Sequence, residues 1–355
     1  MFNPRRLPVL CFIVLLGLVP GGCSGTTDTD DSGLRRITIH YPTLSGATWP
    51  MFVAKEGGYY EKYGLDVELF FGTAQTAVAM LVSGGAQMTN SSMEQALLAS
   101  SLDGSLVMVG SSLNRGLFAL MGVPGISAVG DLRGRNIGVS QVGDAPYNYT
   151  VALLGKFGLT ASDVRWIPVG PGATSRATAL AAGRIDATLL TAPAFFTLEE
   201  EGFTKVADMT AHDDIYASTV YLLSRATLDS APDLPEQLIR AHAEGIQRFY
   251  ADKDFAVRAY LVYDLEGSAA EIGRVYDRFA DAQAIERIPY VLDGAVRSIL
   301  GQANTADSPQ VVNFDFSRVI DNSTVDRLVE EGFFVEIFGP GIAEEQERKR
   351  RMAFR

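Results

Sequence analysis

Cysteine is nearly missing from this chain: Cys11 and Cys23 are the two present, both near the start. Beyond Cys23, therefore, no disulfide, cysteine nucleophile or thiolate metal site is possible. Histidine is also scarce. His40, His212 and His242 lie far apart and lack metal-ligand spacing, so no metal is expected. There is no Gly-x-Ser-x-Gly elbow, phosphate loop or dinucleotide fingerprint, hence no expected cofactor and no catalytic set. Positive charge is in deficit: 30 Lys and Arg against 42 Asp and Glu leave −12 at pH 7. An acidic body argues against nucleic acid, which is held by basic surface.

Only one long apolar run is present, Leu7–Val19, preceded by Arg5 and Arg6 and followed by Gly21, Gly22 and Cys23. At about 13 residues it is shorter than the roughly 20 of a spanning helix, and its flanks are those of a cleavable signal. The cysteine after a small pair resembles the bacterial lipoprotein signal, with Pro20 standing where that signal usually has an aliphatic residue. The expectation is a signal peptide over 1–22, a lipid on Cys23 that anchors the chain to a membrane, and a small, polar, acidic tether over 23–35. The protein would then be exported, periplasmic or on the cell surface. Loss of Arg5 and Arg6 takes the net charge to about −14.

The remaining chain, about 330 residues, suits two lobes better than one core. Strand and helix patterns alternate from Arg36 onward, with strands at 36–41, 65–71, 88, 105–110 and 117–123. Pro124-Gly125 interrupts, and a second block follows with strands at 136–140, 166–169, 187–190 and 205–209 and another at 216–224. Short connections between strands and helices predict parallel sheets covered by helices. After Pro235 the pattern is helical only, and Glu344–Arg351 reads as an exposed, charged tail. The predicted organisation is one lobe from 36–123 and 217–355, and a second from 124–216. Two crossings, near 122–128 and 212–218, would form a hinge. The expected state is a monomer.

Four stretches carry a resemblance. Pro50–Tyr60 followed by Gly64-Leu-Asp-Val67, then Leu81–Ala86, Asp131–Val139 and Ala179–Ala187, are similar in order and content to the type II periplasmic binding proteins of ABC importers. The nearest branch serves nitrate, sulfonates, taurine and thiamine-pyrimidine-like compounds. The resemblance covers about 36–260 and implies an α/β, two-lobed type II periplasmic binding fold that closes on a small-molecule ligand. The implied partners are an ABC permease and its ATPase.

Candidate ligand-binding residues follow from where strands end and helices begin, because the first helical N–H groups lack partners and carry partial positive charge. They are Gly72 and Thr73, Ser91 and Ser92, Gly143 and Asp144, and Thr174 and Ser175, with Thr191 after the strand 187–190. Each is also a plausible plain N-cap. The loop 42–50 adds Thr43, Ser45 and Trp49, the last as a ring to stack on a planar ligand. Tyr147 and Tyr149 point from different faces of one helix, so one of them closes the opposite wall. Arg176 and Arg115 are candidate anion binders, and Glu94 a candidate acceptor for an amino or ring N–H. An arginine in the cleft favours a sulfonate or carboxylate, a glutamate a nitrogen heterocycle. An enzyme on the same scaffold and an exported sensory protein are the alternatives.

Overall fold

The computed structural model describes residues 33–170, 172–212, 216–265, 267–301 and 309–355; the expected signal segment, Cys23 and the expected tether up to residue 32 lie outside them. Ten strands build two five-stranded sheets. The first contains β1 (Arg35–Tyr41), β2 (Leu65–Phe71), β3 (Met88–Ser92), β4 (Leu106–Arg115) and β10 (Tyr216–Ser224), in the order β2-β1-β3-β10-β4. The second contains β5 (Phe118–Gly122), β6 (Asn136–Val139), β7 (Arg165–Pro168), β8 (Ala187–Thr191) and β9 (Thr204–Asp208), in the order β7-β6-β8-β5-β9. Each sheet is the centre of one lobe.

The sheets are mixed rather than parallel. β1 runs parallel to β2 and β3, and β6 to β7 and β8. β10 is antiparallel to β3 and β4, and β5 to β8 and β9. The reversed strand in each lobe is the one that follows a crossing. β4 passes into β5 through Gly116 and Leu117 alone, so the chain enters the second sheet from its cleft end. Other strands follow a helical return and enter from the far end, as parallel pairing requires.

This also moves the expected lobe boundary. β5 pairs with β8 and β9, so the first crossing lies at residues 116–117 rather than 122–128. Pro124-Gly125 is a turn inside the second lobe, where the Ile126 N–H donates to the Val123 carbonyl at 3.1 Å. The return crossing lies between the end of β9 at Asp208 and the start of β10 at Tyr216.

The helices that position the site are α1 (Trp49–Glu56), α2 (Met93–Asp103), α3 (Ala145–Lys156), α4 (Ala173–Ala181) and α5 (Ala194–Glu200). α6 (Leu234–Ala251), α7 (Lys253–Leu261) and α8 (Ala269–Asp281) pack behind the first lobe. Leu238, Ile239, His242, Ile246 and Phe249 form the buried face of α6. His242 is a core residue: its Nε2 meets the Tyr60 hydroxyl at 2.7 Å, and burial pushes the imidazole down to about 3. It therefore stays neutral at physiological pH.

The expected charged tail is instead a docked helix, α9 (Ala343–Met352). Lys349 is buried and donates to Glu286 at 2.7 Å, and the Phe354 N–H donates to the Val291 carbonyl at 2.9 Å. A paired lysine on the inner face ties this polar helix to the body. No helix among the described residues is long and apolar enough to cross a membrane.

Candidate ligand-binding cleft

Between the lobes lies a cavity of about 460 Å³. The first lobe supplies Thr43, Ser45, Gly46, Asn90, Ser92 and Gln95 from the β1–α1 loop, β3 and the start of α2, with Thr219 from β10. The second lobe supplies Ser140, Gln141 and Asp144 from the β6–α3 loop, Tyr149 from α3, Arg176 from α4 and Thr191 from β8. These are strand C-termini and helix starts, the places where open α/β sheets bind ligands.

Local sequence explains the shape. A Cβ on Gly46 would lie 1.9 Å from the Phe279 ring, so only glycine lets Phe279 of α8 pack against the loop and line the cavity. Gly172 has φ +84°, which turns the chain into α4 without a side-chain cap. Hence α4 begins at Ala173, and Thr174 and Ser175 fall inside its first turn rather than capping it.

Arg176 is the central charge. Its side chain is buried, with the residue 4% exposed, and it lines the cavity. Nη1 donates to the Ser140 hydroxyl at 2.6 Å and to the Gly172 carbonyl at 3.2 Å, and Nε donates to the Leu189 carbonyl at 3.2 Å. All three partners are neutral, and among the described residues Arg176 makes no ion pair. Burial depresses the guanidinium pKa while the Asp144 charge opposes that shift, but an arginine stays charged in a protein. A buried cation without a counter-ion is costly, and a bound anion removes that cost.

Asp144 is committed elsewhere. It caps α3: Oδ2 accepts the Ser140 and Gln141 N–H groups at 3.1 and 3.2 Å, and Oδ1 accepts the Tyr147 N–H at 2.8 Å. The hydroxyls of Thr43, Ser45, Thr191 and Thr219 line the cavity and make no side-chain hydrogen bond among the described residues. They are available to a ligand.

Glu94, in the first turn of α2, sits behind Ser92 and close to Tyr149 of the other lobe. Both of its carboxylate oxygens are buried, and neither has a hydrogen-bond partner among the described residues. Burial raises its pKa; the Tyr149 and Ser92 hydroxyls are near enough to oppose that shift without reaching hydrogen-bond geometry. The folded state thus favours the protonated acid. The stability from this group is present at acid pH and is lost as pH rises through the raised folded-state pKa. Glu94→Gln is expected to raise the melting temperature at pH 8 by about 2–4 °C for each kcal/mol relieved, and to leave it unchanged near pH 4. Thermal melts of both proteins at the two pH values check this.

Of the residues expected from sequence, the structure brings Thr43, Ser45, Ser92, Asp144, Arg176 and Thr191 together in the cavity lining. Trp49 is a correction. It is fully buried, its Nε1 donates to the Ala256 carbonyl at 2.7 Å, and its ring packs on Tyr260 and Phe249 at 4.6 and 5.3 Å between centroids. The residues Trp49 to Ala54 of α1 are all buried, so the ring turns toward α6 and α7 rather than the cleft. Tyr147 is a second correction: its ring lies 4.5 Å from Trp166, and Tyr149, on the opposite face of α3, takes the cavity position. Ser91 is buried within β3. Gly72, Thr73 and Gly143 lie outside the lining, and Thr174 faces a neighbouring chamber. Arg115 lines a separate, charged cavity beside α9.

The lining also holds residues that sequence reasoning passed over. Ser140 and Gln141 directly follow β6, and the strand-end rule used for Asp144 points to them as well. Asn90 lies inside a strand and Phe279 on a helix far along the chain, with no local signal for either.

Comparison with known proteins agrees with this architecture. A stretch of 125 residues is 34% identical to the 4-amino-5-hydroxymethyl-2-methylpyrimidine phosphate synthase of Schizosaccharomyces pombe, and covers 34% of this chain and 35% of that one. Among solved structures, a putative periplasmic sulfonate-binding protein, SsuA, of Methylobacillus flagellatus KT superposes with a TM-score of 0.70 at 16% identity, over 85% of this chain and 96% of that one. The desulfurization enzyme DSZB superposes with a TM-score of 0.62 at 17% identity, over 83% and 99%. At such identities the likeness is one of fold, and the fold is the two-lobed type II periplasmic binding protein fold. Residues 47–256, more than half of the chain, match the NMT1/THI5-like family, and the chain belongs to that family.

Proposed function

We propose that this protein is an exported solute-binding lipoprotein that captures a small organic anion between its lobes and hands it to an ABC permease and its ATPase. The observation that carries this reading is Arg176: a buried guanidinium whose hydrogen-bond partners among the described residues are all neutral, in the wall of an inter-lobe cavity. It supports a sulfonate, carboxylate or phosphate that accepts charge-assisted hydrogen bonds from Nη2, the guanidinium nitrogen left without a partner among the described residues. Asp144, the carboxylate in the lining, is occupied by backbone amides, which favours binding over acid–base chemistry at that residue. Phe118, Tyr149 and Phe279 in the same lining also admit a ring, so a nitrogen heterocycle bearing an anionic group fits the second reading.

The ligand stabilises the closed arrangement only through contacts that are better there. The signal-like segment and Cys23 support export and a lipid anchor. Cys23→Ser is expected to move the protein from the membrane fraction to the soluble one and to leave ligand binding intact. The soluble variant also provides the test of function. In a thermal-shift screen of alkanesulfonates, taurine, nitrate, aminopyrimidines and aromatic carboxylates, at least one anionic compound should raise the melting temperature. Ligand at 100 times its dissociation constant adds about 2.7 kcal/mol. A screen in which only uncharged compounds shift the melt overturns the reading.

A further inference from the structure

α8 belongs to the first lobe but reaches the second. Ile272, Val275, Tyr276 and Phe279 form its buried face, and the Tyr276 hydroxyl donates to the Phe249 carbonyl at 2.7 Å. Arg274 and Arg278, four residues apart, share another face of the same helix. Both cross to the other lobe. Arg274 Nη1 donates to Glu200 at the end of α5, and Arg278 Nη2 donates to Asp208 at the end of β9.

Each pair is backed by a ring. The Arg278 guanidinium lies 5.8 Å from the centre of the Phe195 ring, and the Arg274 guanidinium 5.7 Å from that of Phe196, within the range of cation–π attraction. Phe195 is buried in the second lobe, so the contact is made to the frame of that lobe. Asp208 is also fixed from its own side: Oδ1 accepts the Thr210 N–H at 3.0 Å and the Thr210 hydroxyl at 2.7 Å. Burial pushes the Asp208 pKa up, but the bonds from Arg278 and Thr210 outweigh it and hold the carboxyl below its usual range. The acceptor therefore stays ionised at neutral pH.

The two pairs differ in exposure. The Arg278 and Asp208 side chains are 23% and 22% exposed, those of Arg274 and Glu200 51% and 60%. A partly buried pair is screened less than an exposed one, so Arg278 contributes more. Phe279, the next residue, packs against Gly46 and lines the inter-lobe cavity. The same turn of α8 thus joins the lobes and forms a wall of the site. We propose that Arg274 and Arg278 are a built-in latch that holds the lobes together in the ligand-free protein, so that part of the closure is in place before a ligand arrives. A ligand selective for the closed lobes then loses less affinity to the population that is open. The latch does not depend on the chemistry of the ligand, and its test needs none.

The test measures the distance between spin labels at Leu102→Cys in the first lobe and Phe157→Cys in the second, both exposed positions, in the ligand-free full-length chain with Cys11 and Cys23 replaced by Ser. At about 0.1 M salt the closed distance should dominate. At about 1 M salt the screening length falls from about 10 to about 3 Å, and the open fraction should rise. Arg278→Met is expected to raise the open-to-closed ratio about tenfold, the product of an ion pair and a ring contact worth a few-fold each. Arg274→Glu, which sets like charges opposite each other, should raise it about threefold, and adding Glu200→Arg should restore the original ratio. That exposed pair keeps the test decisive should Arg278→Met fail to fold, which thermal melts reveal. Lobes already open at low salt, or an open-to-closed ratio that neither substitution nor salt changes, overturn the latch.

Discussion

Arg176→Leu is expected to lower affinity for the captured anion by roughly 100-fold or more, the scale found when one partner of a buried, hydrogen-bonded charge pair is removed. The argument is electrostatic. Among the described residues the guanidinium makes no ion pair, and the Asp144 carboxylate in the same lining is held by backbone amides, so a bound anion would be its closest ionic partner. The effect on stability should be small by comparison. The variant loses the bonds that tie α4 to Ser140 and to the Leu189 carbonyl of β8, but it also removes a buried charge, and these terms oppose each other. Arg176→Lys keeps the charge and loses the planar fork, so it should fall between wild type and the leucine variant. Calorimetric titration beside thermal melts separates the two effects. A leucine variant that binds as tightly as wild type would exclude this residue as the anion site.

Trp49→Ala should do the reverse. Removing a fully buried aromatic side chain costs about 3–5 kcal/mol, and a loss of that size lowers the melting temperature by on the order of 10 °C. The indole also gives up its bond to the Ala256 carbonyl, leaving that acceptor buried. The ring itself lies outside the cavity lining and packs on Phe249, Tyr260 and Tyr276, and it reaches the site only through the lining residue Phe279 at 6.3 Å, so the affinity of the folded variant should fall far less than in Arg176→Leu. Had the ring stacked on ligand, affinity would fall and the melt would hold. Paired measurements on this variant and on Arg176→Leu thus give opposite patterns, one for the frame and one for the site.

The contrast between these residues shows how much the sequence made legible. Alternation of apolar and polar residues is a local property, and it located the strands of both sheets, including β1 and β2 at nearly their full extent. Helix-start reasoning is local too. It reached Asp144, whose cap on α3 is in place, and Ser92, whose hydroxyl accepts the Gln95 N–H at 3.4 Å. Strand direction was not legible, because β5 and β10 are set antiparallel by entering their sheets directly from the other lobe. The fate of Trp49 was not legible either: its partners lie about 200 residues on, in helices whose docking against α1 no local pattern encodes. The tyrosine pair on α3 was half legible. Helical periodicity required that Tyr147 and Tyr149 face apart, and Trp166 on β7 decided which of them turned inward to the lobe. Arg176 could be read as a charge near a helix start, but its lack of an ionic partner is a property of the folded lobe.

The measurement that bears most directly on the account is calorimetric titration of the purified protein with n-hexanesulfonate, followed by mass analysis of the ligand released on unfolding. The prediction is saturable binding that disappears in Arg176→Leu, with the ligand recovered chemically unchanged. Recovery of a converted product would make the protein an enzyme on this scaffold, and binding that survives the loss of Arg176 would contradict the site.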